Sequence, residues 1–575
     1  MTCAEKRRAQ PTFLLPAEPP TWGEEWERQT YREHIAGHTA AVVGNGNTMP
    51  YATYVCVAVK IFVHLAVFWY CARDARLELL HEQNFKRFLL YNVVGDALGF
   101  NATNGPLGTR FKYFFVTWYN MLRPGTITCP LIPGMTCIRR WWQCLGFAGY
   151  IGLLVRALCA DHVGFNELAP VVATLAALTL CDFVTFQASR GEHYGYMLVC
   201  LLFPWKQAVF GCQLVQCALW FWAGTAKCGP WMKYVNAFMM PNSVVLRLTN
   251  LVGLLQYKQL FVDIPRDISP SPMLMILAWV GCFMEMAVGP LCMFAPTVGV
   301  PLATLFHLYI LSMFPFASVM EWNVLCLYMV QALFSHRSFD LSTSEDMPPV
   351  MALFLAFVLL AVPLYGQLRP KKVPFLTAYR PYAGNWRFSW HIVDAKARDK
   401  LRRLKVLEGI FVTENARTIW GSSLPSCDQL EDFFTGNMVF FPHFRPLIPV
   451  VEKLQALKGW KTHHDYFTLF SECFFNAVFG WSLGTGWYVR GGYFKAMTQV
   501  CGFLPGECYI AVFEPHGLLN HTSEWHVVDI TDPSVKIIHG RAPYAELEAF
   551  QPTGMTPEML EQWSVLGDSK LKKTQ

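Results

Sequence analysis

The chain has 575 residues, of which 53% are hydrophobic and 15% charged, with a net charge of +6. Ordinary soluble domains carry roughly 25% charged residues, so a wholly water-soluble globule is a poor fit. The small charge surplus includes no basic block and gives no case for nucleic acid. The 19 cysteines include no Cys-x-x-Cys pair, which excludes the usual disulfide-framework and zinc signatures.

In chain order, residues 1–50 are polar and rich in Pro, Glu and Arg, which predicts an extended arm or a surface helix. A membrane span needs ~20 mostly apolar residues. The first such segment is Tyr51–Ala72. Phe85–Phe100 is apolar on one face and predicts a helix lying in the membrane interface. Residues 101–140 alternate aromatics with turn signals such as Asn104-Gly-Pro, and predict a re-entrant or surface loop.

Trp141–Ala160 and Leu168–Gln187 follow as spans, then the short Tyr194–Phe203, which reads either as a half-helix ending at Pro204 or as a helix continuing through a kink there. Lys206–Ala223, Val244–Val262, Met273–Ala295, Val300–Val319, Glu321–Phe334 and Val350–Leu368 complete the series. The expectation is a polytopic α-helical membrane protein with about eight to ten membrane helices over residues 51–370. Arg369-Pro-Lys-Lys then acts as a basic stop, and residues 371–575 predict a soluble α+β domain. In it, Asn385–Asp394, Glu507–Phe513, Glu524–Ile530 and Val535–His539 read as strands. Leu447–Leu457, His464–Gly480, Tyr493–Gly502 and Pro543–Phe550 read as helices.

Ionisable residues in apolar segments are functional candidates. Lys60 and His64 share a face of the first span. Arg156 and Asp182, in neighbouring predicted helices, are expected to be each other's counter-ions. Glu192, His193, Lys227, Glu285, His307 and Glu321 form the sharper group. An amine in low dielectric loses its preference for the charged form and can serve as base or nucleophile. A buried salt-bridge network that fixes helix packing is the structural alternative. In the C-terminal region His516, His521 and His526 recur at an odd spacing, which places neighbours on opposite faces of a strand and disfavours a shared metal. The glycines between 480 and 492 do not form Gly-x-Gly-x-x-Gly, and Cys473 has no identifiable base.

Two stretches resemble the horizontally transferred transmembrane (HTTM) superfamily, which includes the vitamin K-dependent γ-glutamyl carboxylase. Trp222-Ala-Gly-Thr-Ala-Lys-Cys-Gly-Pro-Trp231 resembles its aromatic–Gly–x–x–Lys–Trp signature. Glu192-His193-Tyr194-Gly-Tyr196 resembles its Asn-His-x-Tyr segment, and Leu305-Phe306-His307 more loosely its Tyr-Phe-His segment. The resemblance covers about residues 140–335. It implies that Lys227 is a base, that His193 tunes or relays its proton, and that His307 and Glu285 line the same cavity. Residues 371–575 do not resemble the β-rich domain with which the carboxylase holds its protein substrate. Tyr119-Asn-Met-Leu-Arg-Pro-Gly, Gly480-Trp-Ser-Leu-Gly-Thr-Gly, Cys501-Gly-Phe-Leu-Pro-Gly-Glu and His526-Val-Val-Asp-Ile resemble an uncharacterised, actinobacterial-type family of multi-pass membrane proteins.

Three functions stand open. One is a membrane-embedded enzyme acting on a bound quinone or lipid. Another is an accessory subunit or scaffold of a larger membrane complex. The third is a transporter, against which no inverted repeat of broken helices is seen. Membrane lipids are the expected partners, and no metal site is expected.

Overall fold

The computed structural model describes residues 30–44, 51–101, 116–240, 243–245, 261–263, 267–313, 320–335, 347–373, 385, 387–404, 435–481, 486, 488–517 and 521–551. Most of Val244–Val262 and the turn region 482–485 lie outside them, as do residues 1–29 and 45–50 of the predicted N-terminal arm, whose residues 31–44 form a helix.

The helical part is built from α1 (Tyr31–Gly44), α2 (Tyr51–Val67, continued by a π-turn to Ala72), α3 (Glu82–Ala97), α4 (Trp141–Leu158), α5 (Phe165–Cys181), α6 (Trp205–Lys227), α7 (Pro272–Phe294), α8 (Pro296–Met313), α9 (Met320–Phe334) and α10 (Pro349–Leu368). Among the described residues, four helices are long and apolar enough to cross a membrane: α6, α7, α8 and α10. Val57–Ala72, α5 and α9 are apolar but shorter. The outward faces of the long helices carry bare apolar side chains, such as Phe283, Leu305 and Leu353, as lipid-facing surfaces do.

α6 and α7 run antiparallel in close contact, and glycines permit it. A Cβ on Gly224 would stand 2.9 Å from the Cys282 carbonyl oxygen, and one on Gly289 3.1 Å from Cys217 Cα. Small residues at such crossings let two backbones approach within dispersion range.

Three predicted segments come out differently. The segment expected in the interface becomes α3, which is buried on nearly every side. Its charges explain why. Lys86 donates to the Val163 carbonyl at 3.1 Å, and Arg87 to those of Ala160 and Asp161 at 2.8 and 2.9 Å, so α3 satisfies the loop that joins α4 to α5. The segment Leu168–Gln187 breaks at Asp182, whose carboxylate caps a new short helix, Phe183–Ala188, by accepting from the Val184 N–H at 3.2 Å. The predicted helix His464–Gly480 splits into a strand and a helix, Ser471–Phe479. Its first residues, Tyr-Phe-Thr-Leu-Phe, suit a pleated surface and find an open strand edge to pair with.

The C-terminal residues build one antiparallel sheet of five strands: β1 (Phe388–Asp394), β2 (Tyr466–Phe470), β3 (Cys508–Glu514), β4 (Thr522–Asp529) and β5 (Asp532–Pro543), in the order β2-β1-β3-β4-β5. Alternation along β1 sends Phe388, Trp390 and Ile392 to one face and His391 and Val393 to the other. Trp390 packs with Phe444, Phe470 and Phe513, while His391 packs on Phe474 and Phe475 and bonds the Tyr493 hydroxyl at 2.7 Å. The hydrophobic core does not divide at residue 370. The first face of the sheet shares a core cluster with Trp231, Tyr234 and Leu274, and the second shares one with the helices.

Among the described residues, several attachments join the C-terminal segment to the helices. Trp231 stacks on His516 with ring centroids 5.4 Å apart and an interplanar angle of 8°. Glu548 takes Lys233 and the Tyr234 hydroxyl. Thr117 donates to the Gly480 carbonyl at 2.8 Å. The buried Arg445 guanidinium ties down the closing segment, donating to the carbonyls of Leu547, Glu548, Phe550 and Phe440 at 3.1, 2.7, 2.7 and 3.3 Å. Arg445→Met strands those acceptors and should cost about 3 kcal/mol or more; a clearly lowered unfolding temperature and faster proteolysis near residue 550 are the expected readouts.

Burial also holds four imidazoles of the C-terminal segment neutral. It pulls His391 and His516 down to about 3 and His526 to about 4, and holds His443, further opposed by His516, well below the ordinary value. Because the unfolded chain titrates near ~6.5, it binds more protons than the folded one below that pH. Stability is therefore complete above ~6.5 and falls as the pH drops from there toward 3–4. The unfolding midpoint should decline steadily between pH 7 and 4.5, and His516→Gln should flatten part of that slope.

Candidate functional site

The interior of the helical part is organised by three successive residues at the start of α9: Glu321, Trp322 and Asn323. Consecutive helical positions point ~100° apart, so the three side chains reach three different neighbours. Glu321 takes Lys60 of α2 at 2.6 Å. The Trp322 indole N–H donates to Nδ1 of His193 at 2.9 Å, and its ring lies 4.4 Å beneath the Arg190 guanidinium. Asn323 Oδ1 meets His307 Nδ1 of α8 at 2.8 Å.

The protons follow from elementary bonding. An indole N–H only donates. His193 Nδ1 must then be an acceptor, which leaves Nε2–H to donate to Gln216 Oε1 at 3.0 Å. His307 is the mirror case. The Trp220 indole donates to its Nε2 at 3.1 Å, so Nδ1–H donates to Asn323. Both rings are neutral, in opposite tautomers, and every ring nitrogen is engaged. Gln216 continues the chain to Cys326 Sγ at 3.9 Å.

Arg190 extends the network to α3. It pairs with Asp96 at 3.2 Å, with both side chains buried, and faces Trp481 as well as Trp322. Among the described residues it is the one non-glycine with positive φ, 47°. That backbone state costs roughly 1–2 kcal/mol. It turns the chain so that the Arg190 carbonyl accepts from the N–H groups of His193 and Tyr194 at 2.9 and 2.8 Å, opening the π-turn Gly191–Gly195 that carries His193.

Lys227 lies elsewhere. It is the last residue of α6 and forms an ion pair with Glu285 of α7, the two side chains 14% and 6% exposed. Beside them Thr225 donates to Met286 Sδ at 3.5 Å, and the Cys228 thiol to the Gly224 carbonyl at 3.4 Å. The four sequence candidates thus fall into two centres: Lys227 with Glu285, and His193 and His307 on α9.

Two other expectations are resolved. Arg156 is exposed, and Asp182 pairs instead with Arg139 at 2.6 Å, because the helix break at Asp182 turns its carboxylate toward the loop that also supplies the Cys129 N–H at 2.9 Å. Lys60 is paired across helices. In the sheet, His516 and His443 share the Ser523 hydroxyl at 3.1 and 2.9 Å, and His521 meets Trp231 edge-on. Among the described residues no group of three His, Cys, Asp or Glu is placed to hold a metal ion.

Sequence reading passed over Asp96, Arg190, Gln216, Trp220, Trp322 and Asn323. A signal was present in Glu321-Trp322-Asn323, three hydrogen-bonding side chains in a row entering an apolar helix. Asp96 and Arg190 stand far apart in the chain and announce no partnership.

These features define a helical membrane protein held together by buried polar clamps. The chain belongs to a family described as transmembrane protein of unknown function (DUF3556), whose model matches residues 12–557. No curated protein and no solved structure matches it.

Trp322→Phe keeps an aromatic ring near Arg190 but removes the donor to His193. It should cost about 1–3 kcal/mol, whereas Glu321→Gln, which leaves Lys60 buried without its counter-ion, should cost about 3–5 kcal/mol. Thermal unfolding in detergent monitored by tryptophan-independent circular dichroism should rank the two in that order.

Proposed function

We propose that this protein is a membrane-embedded enzyme acting on a lipophilic substrate, a quinone or lipid, at the Lys227–Glu285 pair. The observation that carries this reading is the position of the pair. Glu285 lies near the middle of the 23-residue apolar helix α7, and its partner amine is sealed only in part. A charge pair at that depth is expensive, and such groups mark sites of chemistry or transport more often than packing. The resemblance of Trp222–Trp231 to the HTTM lysine signature supports the same residue. A substrate arriving laterally between helices would displace the pair, with Glu285 taking the ammonium proton and Lys227 left as a base.

His193 and His307 have different parts in this proposal. With each ring nitrogen engaged, a proton relay through either would first break an indole or amide bond. They act as positioning residues that set α6, α8 and α9 around the pair.

An accessory or scaffold role is supported by one specific feature, the engagement of every ring nitrogen of His193 and His307 in the network around Trp322. Fixed co-purification with a larger membrane complex would favour it.

Incubation with membrane lipid extract, followed by mass spectrometry of the extract, separates the readings. Lys227→Ala should lose turnover by on the order of 10²–10⁴-fold. Glu285→Gln alone is expected to destabilise by leaving Lys227 unpaired. The double variant Lys227→Met/Glu285→Leu should regain stability without regaining turnover. A folded Lys227→Ala protein with full turnover removes the proposal.

A further inference from the structure

α6 ends half-way along α7, with Gly224 against Cys282 and Met286 and Lys227 on Glu285. The residues Cys228–Trp231 break the helix, and a second one, Met232–Met239, then packs against α7. The break leaves a carbonyl to satisfy. Ala226, the residue before Lys227, would ordinarily accept from the N–H of residue 230, but that residue is proline and has none. The indole N–H of Trp231 takes its place, donating to the Ala226 carbonyl at 3.1 Å. To reach it the ring folds back over Gly229, where a Cβ would overlap it.

The same ring is gripped by the C-terminal segment. It stacks on His516 at 5.4 Å and 8°, and meets His521 and Tyr544 edge-on at 5.3 and 6.2 Å. His516 is itself fixed. Its side chain meets the Ser523 hydroxyl at 3.1 Å, its N–H donates to Asn385 Oδ1 at 2.7 Å, and its carbonyl accepts from Asn385 Nδ2 at 3.1 Å. Glu548 holds the two residues after Met232, pairing with Lys233 and accepting from the Tyr234 hydroxyl at 2.9 Å.

We propose that Trp231 is a positioning residue for Lys227, through which the C-terminal segment holds the Lys227–Glu285 pair closed. The last carbonyls of a helix have no intrahelical partners, so a final turn persists through its caps. Lys227 reaches Glu285 from that turn. Withdrawing His516 releases the ring, uncaps Ala226 and lets the turn fray, which moves the ammonium off the carboxylate. The C-terminal segment is thereby a regulator of the proposed enzyme's site. Its purpose rests on that reading, whereas the coupling rests on the contacts of Trp231.

The test reads the ion pair rather than turnover. Full-length protein in lipid nanodiscs is treated with a membrane-permeant N-hydroxysuccinimide acetyl ester, and acetylation of Lys227 is followed by mass spectrometry. Lys60, buried on Glu321 at 2.6 Å, is the internal reference, because general loosening of the helices exposes both amines. Trp231→Phe keeps a ring on His516 but removes the donor. It should raise Lys227 labelling on the order of three- to tenfold, the loss of one hydrogen bond, with Lys60 unchanged. Gly229→Ala, which displaces the ring, should do the same. His516→Ala should also raise Lys227 labelling, and His516→Phe, which restores a stacking ring without the bond to Ser523, should return it to the wild-type rate. Wild-type labelling in Trp231→Phe or in His516→Ala overturns the proposal. So does an equal rise at Lys60 in these variants, or a failure of His516→Phe to rescue. Because Lys227 labelling needs no substrate, these results stand whether or not Lys227→Ala loses turnover, and failure of either reading is seen separately.

Discussion

The indole N–H of Trp322, donated to Nδ1 of His193, is the contact on which the helical interior depends. It sets the tautomer of His193, which sets the bond to Gln216 on α6. Its ring meanwhile supports Arg190, and Arg190 holds Asp96 on α3. Glu321 and Asn323, on either side, pin α2 and α8. Low-dielectric surroundings make each of these bonds strong and each loss severe, since a buried donor or acceptor without a partner forfeits its whole hydration. One helical turn thereby sets the relative positions of five segments that apolar packing alone would leave free to slide.

That constraint also sorts the ionisable groups. The two histidines of the network are held in a fixed pattern, both neutral and with every ring nitrogen used. Lys227 and Glu285 pair with each other in a place where glycine-mediated contact brings two helices together. In the proposals above, chemistry resides there and the Trp322 network supplies the frame. The division has a physical basis, because histidines with every ring nitrogen engaged resist change, whereas a single ion pair can be opened by one competing ligand.

The sheet belongs to the same frame. Both of its faces are buried, one against helices of the C-terminal segment that continue into the main core, the other against Trp231 and Tyr234 just beyond α6. The same short stretch of chain therefore carries Lys227, Cys228 and the main aromatic anchor of the sheet. A movement of the end of α6 would be felt at His516, stacked on Trp231, and through it at the Ser523 hydroxyl shared with His443.

Composition and hydropathy were enough to determine that this chain enters a membrane, because burying so many apolar residues in water-soluble form would leave too few charges to cover them. The positions of α6, α7, α8 and α10 were legible for the same reason, as were most strands, whose alternation is local. Lys227 and Glu285 stood out as charges inside apolar runs. Tertiary structure alone decided the rest. Whether α3 lies in the interface or inside depends on the loop whose carbonyls Lys86 and Arg87 satisfy, about seventy residues away. That Asp182 pairs with Arg139 rather than Arg156 depends on a helix break and the direction it gives one carboxylate. The strand Tyr466–Phe470 depends on an edge offered by β1. Pairings between distant residues leave no periodic trace in a single sequence, and it is those pairings that separate His193 and His307 from Lys227.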